Sequence, residues 1–165
     1  DLAMRAAAVA LWTRAKPRSD LIRRMLFTSR VRAFASTHYV RRFGAPQTLD
    51  DLDGHSILSY SGQPAQHLTA ITWLETAGRN GKGPREPSFR ANSVVALRYA
   101  IRAGIGIGMI PDYMTDNEAD LVPVLTEIDP PTLPILFVYP EELKSSKKVQ
   151  VLRDFLVAQA RQWKF

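Results

Sequence analysis

Between Phe89 and Pro111 the sequence runs a helix directly into a strand, and this passage constrains the fold most. Asn92-Ser93 offers side-chain oxygens to the orphan amides of a helix start. Val94, Leu97 and Ile101 recur three or four residues apart and share one buried stripe. Gly104 stands where a chain leaving a helix needs the left-handed conformation. Ile105-Gly106-Ile107-Gly108-Met109-Ile110 then reads as an apolar strand with glycine at alternate places, stopped by Pro111. Such a strand buries one face and leaves bare backbone on the other. Bare backbone admits either a ligand or a tightly packed neighbouring element, and the pattern alone fits both.

The other segments repeat this alternation. Ala6 to Trp12 fits a helix or a loop, and Lys16-Pro17-Arg18-Ser19-Asp20 is turn chemistry. Leu21 to Ala35 predicts one or two strands. Ser36 caps a short helix through Arg42, which Gly44 ends and Pro46 keeps from resuming. Thr48-Leu49-Asp50-Asp51 predicts a capping box, with Asp in place of Glu, opening a small helix that closes at Gly54. Ser56 to Tyr60 predicts a strand and Ile71 to Glu75 another. Asn80-Gly81-Lys82-Gly83-Pro84 is a strong turn. Leu133 to Tyr139 predicts a strand fenced by prolines. Ser146 to Trp163 predicts an amphipathic helix with Val149, Leu152, Phe155 and Leu156 on one face. Helices alternating with short apolar strands predict an α/β architecture with a largely parallel sheet.

The composition narrows what such a fold can do. With 165 residues and 45% hydrophobic content, the chain can bury a real core in one domain or two small lobes. Cysteine is absent, which excludes disulfides, thiolate metal sites and cysteine nucleophiles. No apolar run approaches the ~18 residues of a membrane span. The chain opens at Asp1 without a signal-peptide pattern, and reads as a segment of a longer protein. Basic residues cluster in Arg14–Arg32 and Lys144–Phe165, and acidic ones in Asp112–Asp129. No aromatic residues interleave with the bases as a single-strand stacking platform needs, so these clusters read as solvated faces.

Catalytic machinery is not visible. His38, His55 and His67 have no partner at metal-ligand spacing. No serine lies in a G-x-S-x-G elbow, and no glycine-rich loop ends in Gly-Lys-Ser/Thr. Gly104 to Gly108 is not a dinucleotide fingerprint, because the helix precedes the glycines. Asp50, Asp51 and Asp53 lie too close together to act as acid and base across a substrate. No catalytic residue, metal or cofactor is expected, and the pattern points to binding.

Four landmarks in order carry a family resemblance. They are Asp1-Leu2-Ala3-Met4-Arg5; Ala35-Ser36-Thr37-His38-Tyr39-Val40 with Arg42-Phe43-Gly44-Ala45-Pro46; Asp51-Leu52-Asp53-Gly54-His55; and Asn92-Ser93 through Pro111. Together they resemble the effector-binding domain of LysR-type transcriptional regulators over essentially the whole chain. Thr37 stands where the family pattern has proline.

The resemblance implies a periplasmic-binding-protein-like (type 2) fold of two α/β lobes holding a small-molecule effector. Residues 36–134 would form the second lobe. Residues 1–35 and 135–165 would be the remnant of an incomplete first lobe, with the DNA-binding winged helix-turn-helix outside this chain. The positions implied for effector binding are Ser36 and Thr37, Ser59, Tyr60 and Ser61, Asn92 and Ser93, Gly106 and Pro111. Ser36 and Asn92 would open two helices onto the effector, which favours a carboxylate, although simple capping accounts for both residues equally. The expected protein is a cytoplasmic homo-oligomer that meets DNA only through the absent domain. It uses no cofactor and binds no membrane. A solute-binding protein of a transport system with the same two-lobe fold is the alternative.

Overall fold

The computed structural model describes residues 9–12, 20–61, 69–115 and 119–162. The Asp1–Arg5 landmark and all but Asp20 of the expected turn at Lys16–Asp20 lie outside them. The chain forms two compact units, Asp1–Ser29 with Leu133–Phe165, and Arg30–Thr132. The divisions fall after Ser29 and Thr132, against the expected Ala35 and Pro134. No local signal marks the first of these, because one uninterrupted strand, β2 (Leu21–Ser36), runs through it.

In the first unit, β1 (Ala10–Trp12) pairs antiparallel with β7 (Thr132–Pro140). Ala10–Trp12 is therefore a strand, not helix or loop; three residues carry too little periodicity to show it. Phe137 and Tyr139 of β7 pack with Val149 of the C-terminal helix and with Ile22, Leu26 and Leu156. That helix, α3, spans Lys147–Ala160. Of its expected apolar face, Val149 is buried, while Leu152 and Phe155 are exposed.

The second unit holds α1 (Thr37–Phe43), β3 (Ile57–Tyr60), β4 (Phe89–Ala91), α2 (Val94–Arg102), β5 (Ile107–Pro111) and β6 (Leu121–Val124). Its strands follow the order β2-β5-β3-β4, with β6 also on β2. The pairs β3–β4 and β3–β5 are parallel, but β2–β5 and β2–β6 are antiparallel. The sheet is thus mixed rather than largely parallel. Hydrophobic period identifies a strand but not its direction, and β2 enters this sheet against β5.

The local signals around α1 and α2 act as expected. Ser36 Oγ accepts from Tyr39 N at 3.1 Å, and Gly44 leaves α1 at φ +80°. Thr48 Oγ1 accepts from Asp51 N, while Asp51 Oδ2 accepts from the amides of Gln47 and Thr48. This capping box opens a 3-10 turn over Asp50–Gly54. Ser93 caps α2, which buries Leu97, Ala100 and Ile101. Gly104 follows at φ +76°. Ile71–Glu75, expected as a strand, is instead a turn entering a 3-10 helix over Trp73–Glu75. Ile71 and Leu74 are still buried, so the apolar residues serve the core without an extended backbone.

The alternating glycines are explained by close packing. A Cβ on Gly106 would collide with the backbone carbonyl of Ser56. One on Gly108 would stand 3.0 Å from Ile101 Cδ1. The strand is bare because β3 and α2 press against it.

Candidate functional site

The parallel ladder gives the second unit two distinct ends. Tyr60 is in register with Ala91, and Ser61 N donates to Ala91 O at 2.8 Å. Tyr60 and Ser61 therefore neighbour Asn92 and Ser93, where β3 and β4 finish. Counting on from the Ile57–Ile107 pairing brings Ser61 level with Pro111. Five of the nine expected positions thus gather at the carboxyl ends of parallel strands, the customary place for a ligand in an open α/β sheet.

Ser36, Thr37 and Gly106 lie at the opposite end. Phe34 pairs with Gly108 in the antiparallel β2–β5 ladder, which carries Ser36 toward Gly106 and away from Pro111. The amides opening α1 have protein partners: Thr37 N donates to Asp120 O at 2.9 Å and Tyr39 N to Ser36 Oγ. Ser36 is buried beneath this cap. Ser59 faces neither group directly. It is buried and donates through Oγ to Glu75 Oε1.

A hollow of about 490 Å³ lies within this unit, beside the Pro111 end of β2 and β5. Arg30, Arg32 and Ala33 of β2, Met109 of β5 and Trp73 contribute to its wall. The segment after β6 closes it with Leu125, Thr126, Ile128, Asp129, Pro130 and Thr132. Val31 N donates to Pro131 O at 2.8 Å, which ties that segment to β2. A second hollow of about 390 Å³ also has Trp73 on its wall, with Thr69, Thr72, Glu75, Thr76 and Thr132.

Charged pairs set these walls. Arg32 Nε donates to Asp112 Oδ1 at 2.8 Å, and the Asp112 side chain is buried. Glu75 takes Arg90 Nη1 at 3.1 Å in addition to Ser59. Behind Trp73, buried Arg85 donates to Asp53 at 2.6 Å and to the carbonyls of Leu74, Ala77 and Leu49. The bond from Arg85, with the charges of Arg85 and Arg79 nearby, holds the Asp53 carboxyl below its usual value. No group of three or more acidic or histidine side chains that could hold a metal occurs among the described residues.

Arg30, Arg32, Trp73 and Asp112 were not among the expected positions. Arginines at alternate places on a strand otherwise rich in apolar residues were the available signal, but they read as a solvated face.

The chain matches the family described as the LysR substrate binding domain over residues 1–161. This chain belongs to that family. The LysR substrate-binding domain here is 33% identical over 143 residues to the HTH-type transcriptional regulator CrgA of Neisseria meningitidis serogroup C, covering 84% of this chain and 46% of CrgA. The chain thus spans about half the length of the curated relatives it matches. Its structure resembles the CrgA regulatory domain with TM-score 0.78 and 30% identity, covering 94% of this chain and 76% of that one. The full-length Vibrio cholerae virulence activator AphB shares the fold, with TM-score 0.72, 23% identity and coverage of 97% and 54%. The fold is the mixed α/β, periplasmic-binding-protein-like type 2 fold of LysR-type regulatory domains. No helix among the described residues is long and apolar enough to cross a membrane.

Proposed function

We propose that this chain is the sensor of a DNA-bound LysR-type regulator, and that its small-molecule effector enters the hollow beside Arg32 and Trp73. The observation that supports this most is a hollow of about 490 Å³ in a unit whose strand ends also gather Ser61, Asn92 and Pro111. A volume of that size suits a small organic molecule. The unit Arg30–Thr132 would be the second effector lobe, and the remaining residues would belong to the first. The effector is a carboxylate, the regulator is a cytoplasmic homo-oligomer, and DNA is read by a winged helix-turn-helix outside this chain. Binding, not turnover, is the activity we propose, in keeping with relatives named as transcriptional regulators. The relatives named as transcriptional regulators favour this role over solute transport.

The test uses the full-length regulator on the DNA upstream of its own gene. Compounds that raise its melting temperature are added during footprinting. A changed footprint is expected. Binding that leaves the footprint unchanged at saturation contradicts the sensor role.

A further inference from the structure

We propose that the hollow in Arg30–Thr132 takes an aromatic or similarly planar monocarboxylate, anchored by the terminal amino groups of Arg32 and stacked on Trp73. This rests on the sensor reading for its biological meaning, but the site is argued from its own geometry.

Arg32 is held in place before any ligand arrives. Its Nε donates to Asp112 Oδ1 at 2.8 Å, and its guanidinium carbon lies 5.8 Å from the centre of the buried Phe34 ring. Asp112 cannot be solvated, since its side chain is only 7% exposed, so it keeps the guanidinium in position. The Arg32 side chain is 37% exposed on the wall of the hollow. Among the described residues its two terminal nitrogens have no protein acceptor. A guanidinium fixed through Nε, with two parallel N–H groups remaining, matches the fork of a carboxylate.

The rest of the wall sets the body and charge of the ligand. Trp73, Met109, Val124 and Ile128 offer an indole and apolar surface, which suit a flat ring. Asp129 and Arg30, of opposite sign, also line the hollow, so no net positive charge remains for a second carboxylate. One carboxylate on an apolar plate is therefore the complementary ligand. The backbone beside it is strained as well. Buried Leu125 sits at φ +57°, a conformation that non-glycine residues rarely adopt. Such strain concentrates at ligand-binding segments.

The test is calorimetric titration of the 165-residue chain with benzoate and with benzamide, its neutral isostere. Benzoate is expected to bind about tenfold or more tightly than benzamide, as a charge-assisted bidentate contact requires. Arg32→Gln combined with Asp112→Asn removes both charges and leaves no buried carboxylate unpaired. In that variant the preference for benzoate should vanish while the circular dichroism spectrum is kept. If the double variant does not fold, Trp73→Leu should weaken both ligands severalfold. The proposal is overturned by equal affinities on the wild type, by an unchanged preference in the double variant, or by unchanged affinity in Trp73→Leu. Absence of benzoate binding up to about 10 mM also overturns it. The two readings fail separately. If benzoate binds but no footprint on DNA changes, the sensor role falls and the site stands. If another compound moves the footprint and benzoate does not bind, the site falls and the sensor role stands.

Discussion

Arg85 and Asp53 meet at 2.6 Å, and the same guanidinium donates to the carbonyls of Leu49, Leu74 and Ala77. One buried arginine thereby fastens the 3-10 turn at Asp50–Gly54 to the segment that carries Trp73. Arg79 reinforces it with two bonds of 2.9 Å to Asp53.

Replacing that arginine should be destabilising. Arg85→Met keeps much of the volume but leaves three carbonyls without their donor. A loss of about 1–3 kcal/mol is expected, from buried carbonyls that lose a charged donor, since Asp53 is partly exposed and keeps Arg79. The urea midpoint measures it. A change within about 0.5 kcal/mol would show that these bonds are replaced by water.

Acid should loosen the same network. The carboxyl of Asp53 is lowered chiefly by its bond from Arg85, and that of Asp51 chiefly by the amides of Thr48 and Gln47. A carboxylate whose folded pKa is depressed contributes stability that is present above its unfolded pKa and lost as pH falls through the folded one. The melting temperature should therefore decline below about pH 4, and Asp53→Asn should flatten that decline. An identical pH profile in the variant would separate Asp53 from acid stability.

The two strand glycines should respond unequally to a methyl group. At Gly106 the new carbon meets the fixed carbonyl of Ser56, whereas at Gly108 it meets the movable end of Ile101. Gly106→Ala should cost about 1–3 kcal/mol and Gly108→Ala clearly less. Thermal melts of both variants check the order, and the reverse order would contradict close packing as the reason for the pattern.

Tyr39 gives a further test. Its buried hydroxyl accepts from Ser56 N at 3.1 Å and shares a hydrogen bond with His55 Nδ1 at 3.1 Å. Tyr39→Phe keeps the ring and removes both bonds, so a loss of about 1–3 kcal/mol is expected. Chemical denaturation at neutral pH measures it, and no loss would mean that Ser56 N and His55 Nδ1 both find other hydrogen-bond partners.

Interactions between residues close along the chain were legible in the sequence, and those across the sheet were not. Ser36, Thr48 and Ser93 were legible as caps because a cap and its amides lie within three residues. Gly44 and Gly104 were legible for the same reason, since the need for positive φ arises at the helix end itself. Strand direction was not legible, because β2 meets β5 across some eighty positions, the separation at which Arg32 also meets Asp112. That distance is why none of the residues lining the hollow beside Arg32 was among the expected positions. Tyr60, Ser61, Asn92, Ser93 and Pro111 gather because parallel strands end together. Ser36 shares their chemistry but lies at the far end of an antiparallel neighbour.

The proposed function holds that this fold recognises a small molecule without transforming it. Its most direct test is a thermal-shift series of small carboxylates on this chain, with the most effective compound recovered afterwards and identified by mass spectrometry. The melting temperature should rise steadily with the logarithm of ligand concentration above Kd, and the compound should return unchanged. No shift with any carboxylate, or recovery of a chemically altered product, would contradict it.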